Sequence, residues 1–297
     1  MLKKVILGLG LALLIGSPAF AKLKVVGAYP YIQDLVRQVA HDKVDVQTLA
    51  TGEWDPHFVV AKPSLLTRLR GADLLIINGA QLEIGWLPPL LRQAGNANIQ
   101  PGKPGFLELT TQLPLIQKPQ SVSRAMGDVH PQGNPHIVLD PNNIPKLSDA
   151  ITRKLCQLDA ASCKSYQQNN TGFKQRWQQS SAGWAKRMAR YKGVKVVEYH
   201  KLFDYFFSRY GLKLVGNLEP LPGIPPTPQH LAQLIKTIKD QGVTLNLRGV
   251  YNPSDPSEFV SSHSPARLVT LPHDVGAVPE ARDLFSMYEA LLKRLGV

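Results

Sequence analysis

The chain has 297 residues, 43% of them hydrophobic, and a formal net charge of +12. That length exceeds the usual size of one domain, so two lobes are expected. The basic excess has the sign that nucleic acid or an anionic membrane surface selects, but the Lys and Arg residues are scattered without a dense run, which points to a solvated basic surface.

Lys3 and Lys4 precede a run over residues 5–15 that is apolar apart from glycines, and Ala19-Phe20-Ala21 supplies small residues at the positions a signal peptidase reads. The pattern predicts a signal peptide over 1–21. The apolar run is shorter than the roughly 20 residues a spanning helix needs. Lys22, not cysteine, follows the predicted cut, so no lipid is expected there. A soluble, monomeric periplasmic protein follows, and export removes nucleic acid from the partners.

Residues 23–28 read as a buried strand, and Ile32, Leu35, Val36 and Val39 then fall at helical spacing. Residues 44–49 alternate as a strand. Pro63-Ser64 opens a helix through Leu69, and 74–77 form another buried strand. Residues 117–133 are polar, with Pro, Gly and Ser, and read as an exposed, mobile loop. Pro145 stands near the start of a helix reaching Cys156. From 164 to 190 there is no proline, and Phe173, Trp177, Trp184 and Met188 recur at helical intervals; this predicts one long helix between the lobes. Strands at 194–198 and 212–216 flank a helix over 201–210. Thr227 caps a helix with Pro228 at its first position and Gly242 at its end. Strands follow at 244–251 and 267–271, and 279–295 form the last helix.

Strand-helix alternation in both halves implies an α/β fold: two lobes, each with a mostly parallel sheet flanked by helices, joined by one long linker helix. The expected division is a signal over 1–21, an N-terminal lobe over 22–163, the linker over 164–191 and a C-terminal lobe over 192–297. Cys156 and Cys163, an even pair in an exported chain, are expected to form a disulfide. A Cys₂ metal half-site is the weaker alternative, since no other cysteine exists to complete it.

Three histidines carry the functional information. His57 lies in Asp55-Pro56-His57, His136 in Asn134-Pro135-His136, and His200 follows the strand ending at Glu198. In open parallel sheets, ligands bind beyond the carboxyl ends of the strands, and Asp274 falls three residues after such a strand. A site between the lobes is geometrically natural. His41, His230 and His263 are read as surface or structural. Asp55 and Asp140, each before a proline, are read as fixing turns, and Trp54 and Tyr199 as packing around the site.

These motifs resemble the periplasmic metal-binding subunits of ABC importers for zinc and manganese, over essentially the whole mature chain. Asp55-Pro56-His57 with Pro63-Ser64 resembles the first ligand block, Asn134-Pro135-His136 with Leu139-Asp140-Pro141 the second, and Tyr199-His200 with Tyr205-Phe206 and Tyr210-Gly211-Leu212 the third. The resemblance implies metal ligands at His57, His136 and His200, with Asp274 as the fourth and variable one. Residues 247–251 lack the Glu some members use there, and Val60-Ala61-Lys62 stands where an acidic residue is usual. Glu53, His130, His273 and solvent therefore compete for the fourth position.

Three imidazoles and one carboxylate suit tetrahedral Zn²⁺. Mn²⁺ fits less well, since it prefers oxygen-rich sites, and a His-rich scavenging loop is absent, because residues 117–133 contribute only His130. The expected function is capture of Zn²⁺ and delivery to an ABC permease, without catalysis. The alternative is an exported zinc-dependent hydrolase with Glu53 or Glu198 as base. Against it, the chain has neither a His-Glu-x-x-His helix nor a Gly-x-Ser-x-Gly elbow. A binder of chelated metal, a third reading, needs a wider pocket than converging protein ligands leave.

Overall fold

The computed structural model describes residues 21–123 and 126–297; the expected signal segment lies outside the described residues except for Ala21. The N-terminal half runs β1 (Leu23–Gly27), α1 (Pro30–Ala40), β2 (Val44–Thr48), α2 (Pro63–Arg70), β3 (Leu74–Ile77), α3 (Leu87–Ala94), β4 (Phe106–Glu108) and α4 (Ile144–Leu158). After α5 (Cys163–Met188), the C-terminal half runs β5 (Lys195–Glu198), α6 (Asp204–Tyr210), β6 (Lys213–Asn217), α7 (Pro228–Gln241), β7 (Leu245–Gly249), α8 (Asp255–Ser262), β8 (Arg267–Leu271) and α9 (Leu284–Leu295).

Each half builds one four-stranded sheet, ordered β2-β1-β3-β4 and β6-β5-β7-β8, and every strand pair is parallel. The apolar run of β3, buried at every residue, suits a central position covered by helices on both faces. The two sheets are wired alike. Their strand order reverses between β1 and β3 and between β5 and β7, and such switch points open a crevice at the carboxyl ends of the strands.

Prolines in the first turn start α1, α2, α3, α4, α7 and α8, where a missing N–H costs nothing and φ is already helical. Two expected starts are corrected. The last helix begins at Leu284, not 279, because Asp283 and Ser286 form a capping box. The helix after β5 begins at Asp204, not 201, because the buried Glu198 carboxylate accepts the Phe203 N–H at 2.9 Å and holds residues 200–203 in a turn.

The long helix α5 has 26 residues, about 39 Å at 1.5 Å per residue. It packs on α1 and α4 of the first lobe and on α9 of the second. Trp184 stacks on Tyr288 with ring centroids 4.8 Å apart, and Trp177 meets Tyr288 edge-on at 5.4 Å. Tyr288 Oη donates to Val138 O and Trp177 Nε1 to Pro141 O, both at 2.7 Å. Aromatic area and satisfied polar tips thus fasten α9 to the first lobe.

Two buried carboxylates add a reciprocal tie. Asp274 accepts the Tyr31 N–H at the start of α1 at 2.8 Å, and Asp34 of α1 accepts the Leu284 N–H at the start of α9 at 2.9 Å. Each satisfies a free donor at the other lobe's helix N-terminus. Cys156 and Cys163 form a disulfide across the α4–α5 corner. Among the described residues, no helix is long and apolar enough to cross a membrane.

Candidate metal site

His57 and His136 sit in turns of the same construction. Asp55 Oδ1 accepts the His57 N–H at 2.9 Å, and Asn134 Oδ1 accepts the His136 N–H at 2.9 Å. In both, an Asx side chain closes a turn around a proline, so Asx-Pro-His dictates a local shape that points the third residue away from the chain. The Pro56 carbonyl is pinned by Tyr29 Oη at 2.8 Å and Trp86 Nε1 at 3.1 Å. The Pro135 carbonyl is pinned by Asn78 Nδ2 at 3.0 Å. His200 follows β5 at the mouth of the second sheet.

The three side chains converge from both lobes. One donor atom each of His57, His136 and His200 lies within 4.8 Å of the other two, and the three residues are only 5–7% exposed. Their ring centroids stand 5.2–5.6 Å apart. Burial and the neighbouring imidazoles hold His136 well below the ordinary histidine pKa, so it is a neutral donor at pH 7.

Carboxylates orient two of the rings. Asp55 Oδ1 accepts from His57 Nδ1 and Glu219 Oε2 from His200 Nδ1, both at 2.7 Å. A carboxylate only accepts, so Nδ1 carries a proton and Nε2 is the nitrogen left to face the site. Carboxylate-bound imidazoles of this kind fix ring orientation and raise donor basicity toward a metal. The His57 hydrogen bonds outweigh desolvation and keep the Asp55 carboxyl below its usual pKa.

The other expected donors are placed differently. Asp274 is fully buried beside His136 and His273 but is outside the three-histidine group; its Oδ1 accepts from Tyr31 N and Val275 N. Burial pushes its carboxyl up to about 8. His273 Nε2 faces the Trp54 carbonyl at 3.2 Å and its ring packs on Tyr251; burial lowers its pKa to about 4. Glu53 is exposed on the surface. His130 comes closest, with Nε2 at 3.4 Å from His57 Nε2.

The sequence predicts an exposed, mobile loop over 117–133, but Met126 to His130 are half-buried, and the Asp128 N–H donates to Pro222 O of the second lobe at 2.8 Å. A cavity of about 310 Å³ lies between this loop and residues 217–222, with His130, His136 and His200 in its wall. The role of Glu219 as partner of His200 is not readable from sequence; its one signal there is a lone acidic residue two positions past β6.

A two-lobed α/β frame with a buried cluster of carboxylate-oriented histidines at its cleft defines the class of extracytoplasmic metal-binding solute receptors. Residues 25–295 match the ZnuA family, described as the periplasmic component A of a zinc-uptake complex; the chain belongs to that family, a family of solute-binding proteins rather than enzymes. It is 22% identical over 263 residues to the high-affinity zinc uptake system protein ZnuA of Bacillus subtilis, covering 87% of this chain and 77% of that one. It is also 22% identical to the zinc-binding lipoprotein AdcA of Streptococcus pneumoniae, covering 74% of this chain but only 44% of the relative. The iron-binding protein YfeA of Yersinia pestis is 25% identical over 75% of this chain and 69% of its own length. A crystal structure of ZnuA superposes with a TM-score of 0.76 at 21% identity, covering 93% of this chain and 98% of the other; at that identity the likeness establishes the fold.

Proposed function

We propose that this protein captures Zn²⁺ between its lobes through His57, His136 and His200 and delivers it to the membrane permease of an ABC importer. The observation that carries the reading is the convergence of three buried imidazoles from two lobes, two of them held by carboxylates. Nitrogen-rich tetrahedral surroundings suit Zn²⁺, whereas Mn²⁺ favours oxygen donors. The relatives' names divide between zinc and iron, so the metal is argued from the donor set alone.

The lobes are tied by α5, the Trp184–Tyr288 stack and the two helix-capping carboxylates. This supports release through small movements of loops at the cleft rather than wide hinge closure. The protein acts as a monomer, and Lys22 after the expected cut supports an unlipidated periplasmic form. Competition titration with a zinc-selective chelator tests the reading: His136→Ala weakens Zn²⁺ binding by more than about 100-fold, beyond the loss expected for an outer-sphere partner. Unchanged affinity of this variant contradicts the reading.

A further inference from the structure

We propose that His130 is the fourth metal donor, presented by a loop seated on the opposite lobe, so that the site is built from four imidazoles. This inference rests on the capture reading above and adds to it the ligand that completes the coordination sphere.

Hydrogen bonding fixes where the Nδ1 protons of His130 and His57 sit. His130 Nδ1 lies 3.0 Å from the Ala80 carbonyl. A carbonyl only accepts, so Nδ1 carries the hydrogen and the lone pair sits on Nε2. His57 Nδ1 is likewise committed to Asp55. The two Nε2 atoms face each other at 3.4 Å, and with His57 neutral each carries a lone pair. In that state the two acceptors cannot hydrogen-bond to one another, and a cation between them satisfies both. In a tetrahedral zinc site with Zn–N near 2.0–2.1 Å, neighbouring donor atoms are about 3.3–3.4 Å apart. The spacing to His57 is that of one tetrahedron edge; His130 is outside the group of donors mutually within 4.8 Å, so the ion draws it the remaining distance toward His136 and His200.

The acceptor for His130 is built at a conformational cost. Ala80 has φ +51° and Gln81 has φ +64°, in the left-handed region that non-glycine residues seldom adopt. The Ala80 N–H donates to Glu108 Oε1 at 3.1 Å, which holds the strained peptide in place. Such strain persists where the surroundings over-determine it, and here it aims a carbonyl at Nδ1 of His130.

The segment leading to His130 is seated against the second lobe. Gly127, at φ +71°, lies so close to the second lobe that a Cβ there would stand 2.1 Å from Pro222 O. The next residue, Asp128, donates its N–H to that same carbonyl. On the other side of the contact, Gly223 N–H donates to Glu219 Oε2 at 2.9 Å, the oxygen that holds His200. The peptide carrying His130 and the carboxylate orienting His200 thus meet on one turn of the second lobe. Asp274, the competing fourth ligand, has one oxygen committed to two backbone donors, one of them at the start of α1.

The test compares Zn²⁺ affinity, by chelator competition, for the full mature chain and for His130→Ala, Gly127→Ala, the double variant, Asp274→Asn and His136→Ala. Zinc-edge X-ray absorption of the unaltered protein counts imidazoles independently. We expect His130→Ala to lose at least about tenfold in affinity, comparable to or beyond removal of an outer-sphere partner. Gly127→Ala loses in the same direction, the double variant is no weaker than His130→Ala alone, and Asp274→Asn stays near the unaltered protein. The absorption spectrum fits four imidazole nitrogens. A His130→Ala affinity closer than tenfold to the unaltered protein, with His136→Ala strongly impaired, overturns the His130 assignment and leaves the capture reading standing. Loss in Asp274→Asn matching that of His136→Ala also overturns it. If His136→Ala binds normally, the capture reading itself fails.

Discussion

Glu219→Gln is the substitution that isolates the electrostatic part of this site. The Glu219 carboxylate is only 11% exposed and lies 2.7 Å from His200 Nδ1, so its charge acts on the imidazole with little screening. Glutamine keeps the length and one acceptor oxygen, so His200 stays oriented while the negative charge disappears. Outer-sphere carboxylates of metal-bound histidines contribute about 10–100-fold in affinity, or roughly 1.4–2.7 kcal/mol. Glu219→Gln is expected to lose affinity within that range, because the retained oxygen can still accept from His200 and from the Gly223 N–H and the charge alone is removed. Chelator competition at pH 7 reads the constant, and thermal melting of the metal-free variant reads whether the fold is intact. Affinity within about twofold of the unaltered protein, with an unchanged melt, would refute the argument that this carboxylate tunes the metal.

Asp274→Asn tests the interlobe tie through its pH dependence. A carboxyl near 8 when folded and near 3.8 when unfolded binds more protons in the native state between those values, so its contribution to stability falls as pH rises through that window. The asparagine side chain cannot ionise and keeps the oxygen that Tyr31 and Val275 use; metal-free Asp274→Asn should therefore gain on the unaltered protein as pH rises from about 4 to about 8, and parallel urea curves at pH 5 and pH 8 would contradict this. Removing the Cys156–Cys163 disulfide opens a short loop and should lower unfolding free energy by about 2.5 kcal/mol while leaving zinc affinity unchanged; calorimetry and the chelator titration check both parts. Trp184→Ala removes the stack on Tyr288 and should cost about 3–5 kcal/mol in urea unfolding; a loss below about 1 kcal/mol would show that α9 is held by other contacts.

Most of the frame is legible in the sequence because its signals are local. Buried apolar runs announce β1, β3 and β5, proline and glycine punctuate the helices, and an aromatic period without proline announces α5. The elements that escape a sequence reading are those whose signal is weak or tertiary. The edge strand β4 has three residues, too short for a clear alternation, and α3 and α8 are also absent from the sequence reading. His57 and His136 are readable because Asx-Pro-His is a turn that makes its own geometry, and His200 because it follows the carboxyl end of a strand. The places of Asp274 and His130 are not readable, because both depend on contacts between distant segments: Asp274 reaches a helix start 243 positions away, and the His130 loop is held by Ala80 and Pro222. A polar loop looks the same in sequence whether solvent or a second lobe receives it.

The central claim is that one zinc ion is held between the lobes by imidazole nitrogens of His57, His136 and His200. Anomalous scattering at the zinc edge from crystals of the zinc-loaded mature chain tests it most directly. The account predicts a single strong peak in the cleft with those three side chains at about 2.0–2.1 Å. A peak elsewhere on the protein, or one in the cleft coordinated without these histidines, would contradict it.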